Sequence, residues 1–264
     1  MTRPIVFLTD YGLSDPWVGI CHGVMFRIVP DAHVIDLTHA VPRQDVLRGA
    51  IELGRAIEYL PPEAVYLAVV DPGVGSDRRA VAVAAGAALL VGPDNGVLSL
   101  AWEALGGVEA AVWIENEDLL LTPVSRTFHG RDVFAPAAAH LAAGLSLADL
   151  GPSVDVGALR RLEVPSPMVA PGAVGARVTG VDGFGNVQLN ATIAELLAAD
   201  LEGERVLVVN GRRLPRAGTF AELPEHEPGM IVDSDGYLAV VVNHGSAATT
   251  MRLGAGDPVV IERP

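Results

Sequence analysis

Asp71, Arg78 and His129 stand in glycine-containing segments and carry side chains that could do chemistry. Asp71 opens the segment Asp71-Pro72-Gly73-Val74-Gly75 directly behind an apolar run from Ala64 to Val70, and Arg78 closes the same loop. His129 stands in Phe128-His129-Gly130-Arg131-Asp132. A carboxylate and an imidazole can each accept a proton, whereas a guanidinium only donates. A histidine in a Gly-containing loop beside charges is a candidate acid, base or orienter, although a merely solvated loop histidine is the plainer reading. Gly73 and Gly75 do not extend to Gly-x-Gly-x-x-Gly and lead into a strand rather than a helix, so they are not a dinucleotide fingerprint. Their expected use is close approach of backbone to a ligand.

The elements that must position these residues follow from hydrophobic patterning. Up to about residue 150, strand-like and helix-like segments alternate. Pro4–Thr9, His33–Leu37, Ala64–Val70, Val81–Ala84 and Ala88–Val91 read as strands. Trp17–Val29, Val46–Leu60, Val97–Leu105 and Val133–Leu145 carry helical spacing. This order predicts a layered α/β domain with a mainly parallel sheet over residues 1–150. Residues 151–172, with four prolines and little periodicity, read as a linker. Residues 173–264 hold short strand-like runs separated by Gly and Pro turns, with one helix near Ile193–Leu201. They predict a small β-barrel domain.

Polar residues fall right behind the strands, where open α/β sheets bind ligands. Asp10, at the end of the first strand, reads equally as a partner for a ribose diol or as a turn aspartate. Asp15, before Pro16 and a helix, reads locally as an N-cap. In the second domain, Asp182-Gly183-Phe184-Gly185-Asn186 is a Gly-rich hairpin turn or a base-binding loop. In the second case Phe184 offers an aromatic face and Asn186 an amide matching the N6/N7 edge of adenine. Val242-Asn243-His244 follows a strand and can offer backbone groups.

Composition narrows the chemistry. The net charge is −14 and all 18 cationic residues are arginine, so no basic stripe exists for nucleic acid. The lack of lysine excludes Schiff-base chemistry and a P-loop. Neither Cys-x-x-Cys nor His-Glu-x-x-His occurs, so no metal and no cofactor are expected. The mean hydropathy is +0.37, but no apolar stretch approaches the ~20 residues of a membrane span. A single cysteine, Cys21, and no secretion-signal pattern fit a cytoplasmic setting.

Taken in order, Thr9-Asp10-Tyr11-Gly12, the Asp71 segment, Gly92-Pro93-Asp94-Asn95-Gly96, the His129 segment and the Asp182 segment resemble the SAM hydroxide adenosyltransferases over essentially the whole chain. That family comprises the adenosine-forming hydrolases of S-adenosyl-L-methionine (SAM). The resemblance implies an N-terminal α/β domain, a C-terminal β-barrel, and a homotrimer with sites completed by a neighbouring subunit. It implies the reaction of SAM with water to adenosine and L-methionine. It also implies an Asp71–Arg78–His129 triad and ribose binding by Asp10. Methionine contacts fall to Asp15, Asp182 and Ser234, and adenine contacts to Phe184, Asn186 and the backbone of Val242 to His244.

The related fluorinases and chlorinases make halide attack the first alternative. Asp71 and Val74 stand where fluorinase has a tyrosine and a threonine, and Gly130 where it has a halide-binding serine, which favours water. A SAM or adenosine sensor without catalysis is a second alternative. A nucleoside hydrolase is a third, with too few aspartates in the Asp10–Asp15 segment for its Ca²⁺ site. Whether Asp71 or His129 is the base stays open at this level.

Overall fold

The computed structural model describes residues 2–264 and divides into two compact units, Met1–Leu162 and Glu163–Pro264. The first contains β1 (Ile5–Thr9), α1 (Trp17–Ile28), β2 (Val34–Thr38), α2 (Val46–Ala56), β3 (Val65–Val69), β4 (Ala80–Ala85), β5 (Ala88–Pro93), α3 (Ser99–Ala104), β6 (Ala110–Trp113) and α4 (Ala135–Ala142). The sheet order is β2-β1-β3-β5-β4-β6. The first four of these strands run parallel, and the β4–β5 hairpin turns the remainder antiparallel.

Strands β1 and β3 are buried throughout, and apolar but for Thr9 and the Tyr66 hydroxyl, because both faces of the sheet are covered. Alternate residues feed two cores. Ile5, Phe7, Val65 and Leu67 pack with Cys21, Met25, Phe134 and Leu141. Val6, Leu8, Tyr66 and Ala68 pack with Leu53, Leu98 and Trp102 on the other face. Asp45 caps α2, its carboxylate accepting from Arg48 N at 2.9 Å. The helix expected from Val133 is entered instead through a π-helical turn, Gly130–Phe134, which continues into α4.

Residues 151–162 do not run free between units. Ser153 bridges to Val112, Arg160 N donates to Asp94 Oδ1 at 2.9 Å, and Leu162 N donates to Ser99 Oγ at 3.1 Å. This stretch is an outer layer of the first unit, held largely by backbone groups that composition does not reveal.

The second unit is an eight-stranded, nearly closed antiparallel barrel. Its strands are β7 (Met168–Ala170), β8 (Ala173–Val181), β9 (Val187–Thr192), β10 (Val206–Val209), β11 (Arg212–Pro215), β12 (Pro228–Val232), β13 (Tyr237–Val242) and β14 (Pro258–Glu262), with α5 (Ile193–Ala198) and α6 (Ala247–Met251) as short helices. The order is β11-β10-β14-β8-β9-β13-β12, with β7 beside β8. Ala217 N, just past β11, donates to Met230 O of β12 at 3.0 Å and draws the two edges together. A Thr192–Glu195 capping box starts α5, and Asp200 in the left-handed region follows its end. No helix among the described residues is long and apolar enough to cross a membrane.

Gly92 marks a close approach of β5 to β3, since a Cβ there would lie 2.5 Å from the Ala68 carbonyl oxygen. Gly92→Ala therefore forces β5 away from β3, and we expect a loss of roughly 1–3 kcal/mol in urea unfolding. An unchanged midpoint would contradict this packing.

Candidate active site

Asp71 follows β3 and Arg78 precedes β4, so one loop holds both. Its turns are fixed internally: Val74 N donates to Asp71 O at 3.3 Å, Ser76 Oγ to Gly73 O at 2.6 Å, and Arg78 N to Ser76 Oγ at 3.3 Å. Gly75 has φ +77°, and a Cβ on it would lie 2.3 Å from the Arg126 carbonyl oxygen. The sequence reading assigned this glycine to ligand approach. In the structure it admits the 120s backbone instead, and so brings the His129 segment against the loop.

The Arg78 guanidinium grips Asp71 with two donors. Nε reaches Oδ1 at 3.0 Å and Nη2 reaches Oδ2. Nη2 also meets His129 Nδ1 at 3.1 Å. The two side chains of the ion pair are only 6% and 7% exposed, so the pair is largely withdrawn from water. The Phe134 ring lies under the guanidinium, with its centroid 5.2 Å from the carbon. Because Arg78 has no acceptor, His129 Nδ1 must accept, which assigns the ring proton to Nε2. Burial first, and then the Arg78 charge, hold His129 below its ordinary 6.5, so the neutral ring is favoured.

The His129 segment is anchored by Asp132, which is 1% exposed. Its carboxylate accepts from Ser125 N at 2.8 Å and from Arg131 Nε and Nη2 at 2.5 and 2.9 Å. Sequence reasoning quoted Asp132 within its motif but gave it no task. Tyr11 was also passed over, although it adjoins Asp10. Its ring meets Phe128 edge-on at 5.7 Å, and its hydroxyl presses on Gly130. A cleft of about 680 Å³ opens on Arg78, lined also by Gly73, Asp94, Asn95 and Arg160. A second, of about 460 Å³, is lined by Tyr11, Trp17, Thr127, Phe128 and Arg131.

Asp10 lies at the end of β1 and accepts from Gln44 N through Oδ2 at 2.8 Å. Asp15 is exposed and does not cap α1, whose cap position is Pro16 without a side-chain bond. The capping reading of Asp15 is thereby set aside. Among the described residues one His/carboxylate group could converge on a cation: His22, Asp36 and His39. In it both histidine Nε2 atoms lie near Asp36 Oδ1, at 2.8 and 3.1 Å. His39 also bonds Thr9 Oγ1 at 2.9 Å, and its carbonyl accepts from Gly12 N at 2.7 Å, which fixes the Asp10 loop.

In the second unit, Asp182 organises its own loop. Oδ1 accepts from Phe184 N and Asn186 N, both at 2.9 Å, and Oδ2 from Asn186 Nδ2 at 2.8 Å. Phe184 is 84% exposed, whereas Asn186 is buried. Gly185 packs on Ser246 and its carbonyl accepts from Ala248 N at 3.0 Å, so this loop adjoins the segment after Val242. His244 has φ +57° and its carbonyl faces His226 Nδ1 at 3.0 Å. Ser234 is exposed in the β12–β13 turn, at the opposite end of β13 from Val242 and His244.

Comparison with known proteins agrees with this architecture. Residues 5–151 match the SAM hydroxide adenosyltransferase N-terminal domain and residues 176–260 its C-terminal domain. The chain is similar to (R)-S-adenosyl-L-methionine hydrolases of Salinispora arenicola, at 53% identity over 96% of this chain and 95% of the relative, and Thermus thermophilus, at 46% over 97% and 98%. A fluorinase of Actinoplanes is 27% identical over 98% of this chain and 97% of its own. A Thermotoga maritima crystal structure, described as an uncharacterized conserved protein, superposes with a TM-score of 0.90 at 37% identity, covering 98% of this chain and all of the other. With both domain models matched and relatives this similar over nearly full length, the chain belongs to the SAM hydroxide adenosyltransferase family.

Proposed function

We propose that this chain hydrolyses S-adenosyl-L-methionine, in the (R)-sulfonium form for which its relatives are named, to adenosine and L-methionine. The observation that carries the reading is the Asp71–Arg78–His129 set, an ion pair withdrawn from water with a half-buried imidazole on it. The sulfur of a sulfonium leaves as a neutral thioether, so no acid is required at the leaving group. What the reaction needs is a water held in line with the C5′–S bond and a group to take its proton. Water oxygen bonds to C5′, the C5′–S electron pair returns to sulfur, and one water proton passes to the base. Positioning of this kind is worth on the order of 7–11 kcal/mol.

Tautomer and charge divide the roles. His129 Nδ1 is spent on Arg78, which leaves Nε2–H as a donor. Asp71 keeps carboxylate lone pairs beyond the two taken by Arg78, so it is the proton acceptor in our reading. Arg78 stabilises hydroxide character on the nucleophile, and Asp71 offsets its charge toward the sulfonium. A halide has no proton to donate and meets a carboxylate here, which favours water. Asp10 takes the ribose diol, with Asp15, Asp182 and Ser234 at the methionine end. Phe184, Asn186 and the backbone of Val242 to His244 take the adenine. Since Asn186 Nδ2 is held by Asp182, its Oδ1 is the atom for the adenine amine. In this reading the protein is a cytoplasmic homotrimer whose sites a neighbouring subunit completes, and that neighbour covers the exposed Phe184.

Incubation of the purified protein with each SAM epimer, with and without chloride, tests the reaction. Adenosine and methionine in equal amounts are expected, and a 5′-chloro product or no turnover would overturn it. Arg78→Ala or His129→Ala should lower kcat by about 10²–10⁴-fold with SAM binding retained. Arg78→Ala also strands Asp71, at a cost of about 3–5 kcal/mol, so rates are compared per folded molecule by thermal melting. Near-normal rates in both variants would refute the triad.

Protonation of His129 would place a proton on Nδ1 facing Arg78 and break the set. Because its pKa is lowered, the competent neutral form persists through neutrality and is lost only on the acid side. The His129-controlled limb of the kcat/KM–pH profile should therefore lie below 6.5, and a midpoint at or above that value would contradict the arrangement.

A further inference from the structure

The contact between Tyr11 and Gly130 points to a nucleophile-holding group outside the triad. An ideal Cβ on Gly130 would stand 1.9 Å from Tyr11 Oη and 3.0 Å from its Cζ. No side chain fits at 130 while this tyrosine holds its place. The hydroxyl thus fills the volume that the first atoms of a residue-130 side chain would take, next to His129. Tyr11 is placed firmly: its backbone N donates to Thr9 Oγ1 at 3.2 Å, and Gly12 N is held by the His39 carbonyl at 2.7 Å. Its ring leans edge-on against Phe128, which Trp17 supports from another side at 5.4 Å. Yet among the described residues no hydrogen bond holds Oη, and Tyr11 lines the second cleft, with Trp17, Thr127 and Phe128, rather than the one that opens on Arg78.

We propose that the Tyr11 hydroxyl forms part of the water site, accepting a hydrogen bond from the attacking water and barring any side chain at 130. This rests on the hydrolytic reading above. Water has four tetrahedral directions. One lone pair must face C5′, and the other accepts from His129 Nε2–H or Arg78. One hydrogen points to Asp71, and Tyr11 Oη receives the second. Burial and the nearby Asp10 and Asp71 charges push the phenol well above its usual 10, so it stays neutral throughout the working range. The phenol gains no proton and loses none in the reaction; the water proton leaves to Asp71.

Tyr11→Phe, Gly130→Ser and the double variant test the proposal against the wild-type protein, by adenosine release from SAM. Tyr11→Phe keeps the ring packing, and kcat should drop about 10-fold or more with KM within about twofold. Gly130→Ser alone drives its side chain into Oη and should be the most impaired. Removing Oη relieves the 1.9 Å overlap and leaves the nearest contact at 3.0 Å, which a shift of the ring by a few tenths of an ångström accommodates, so the double variant regains a hydroxyl over residue 130. Its kcat should exceed that of Gly130→Ser at least ~10-fold, with all variants folded by thermal melting. A Tyr11→Phe enzyme with unchanged kcat and KM overturns the proposal, even if the serine variants do not fold. So does a folded double variant no faster than Gly130→Ser. A wild-type protein that releases no adenosine overturns the hydrolytic reading itself and this proposal with it. An active wild type with an indifferent Tyr11→Phe variant overturns the proposal alone.

Discussion

The first unit depends on one buried charge being answered in place. A guanidinium at the end of a parallel sheet, with only 7% of its side chain exposed, is tolerable only if a carboxylate meets it squarely. Asp71 does so because both residues lie on one loop, closed by its own turns and drawn against the 120s backbone at Gly75. Phe134 supplies the floor and His129 takes the remaining donor direction. The sheet beneath is covered on both faces, so this polar cluster is the exception to an otherwise apolar layer, and it occurs where strand ends expose it to a ligand.

That arrangement also fixes the character of the site. A bidentate Arg–carboxylate pair has little freedom, so the imidazole beside it adopts one tautomer and keeps Nε2–H as a donor. The set then offers a carboxylate for a proton and cationic or N–H donors for an oxygen. This combination matches water better than a bare anion. Tyr11 extends the same logic by occupying the space over Gly130 with a neutral hydroxyl. The Asp10 loop that carries it is held in turn by Thr9 and His39, with Asp36 beside the imidazole.

Much of this was legible in the sequence because the signals were local. The apolar runs of β1 and β3, the Asp45 cap and the loops after strands are all written in neighbouring residues. The three triad positions were named, though their proximity came from resemblance and not from spacing. What was not legible depends on distant contacts. β9 carries Gln188 and Asn190, residues unsuited to strands on propensity. Asn190 is accommodated because its amide accepts from Arg177 N at 2.7 Å and donates to Pro165 O at 2.5 Å. β6 and β11 are four residues each, too short for periodicity. Tyr11 read as the neighbour of Asp10, because its meaning lies in Gly130. Asp132 read as a charge after an arginine, because its burial is a tertiary fact.

The central claim is that water, held by Asp71, Arg78 and His129, attacks C5′ of the sulfonium substrate. Turnover of SAM in ¹⁸O-enriched water tests it directly by mass spectrometry of both products. The account predicts one heavy oxygen in the 5′-hydroxyl of adenosine and none in methionine. Adenosine without the label, or label appearing in the amino-acid product, would contradict it.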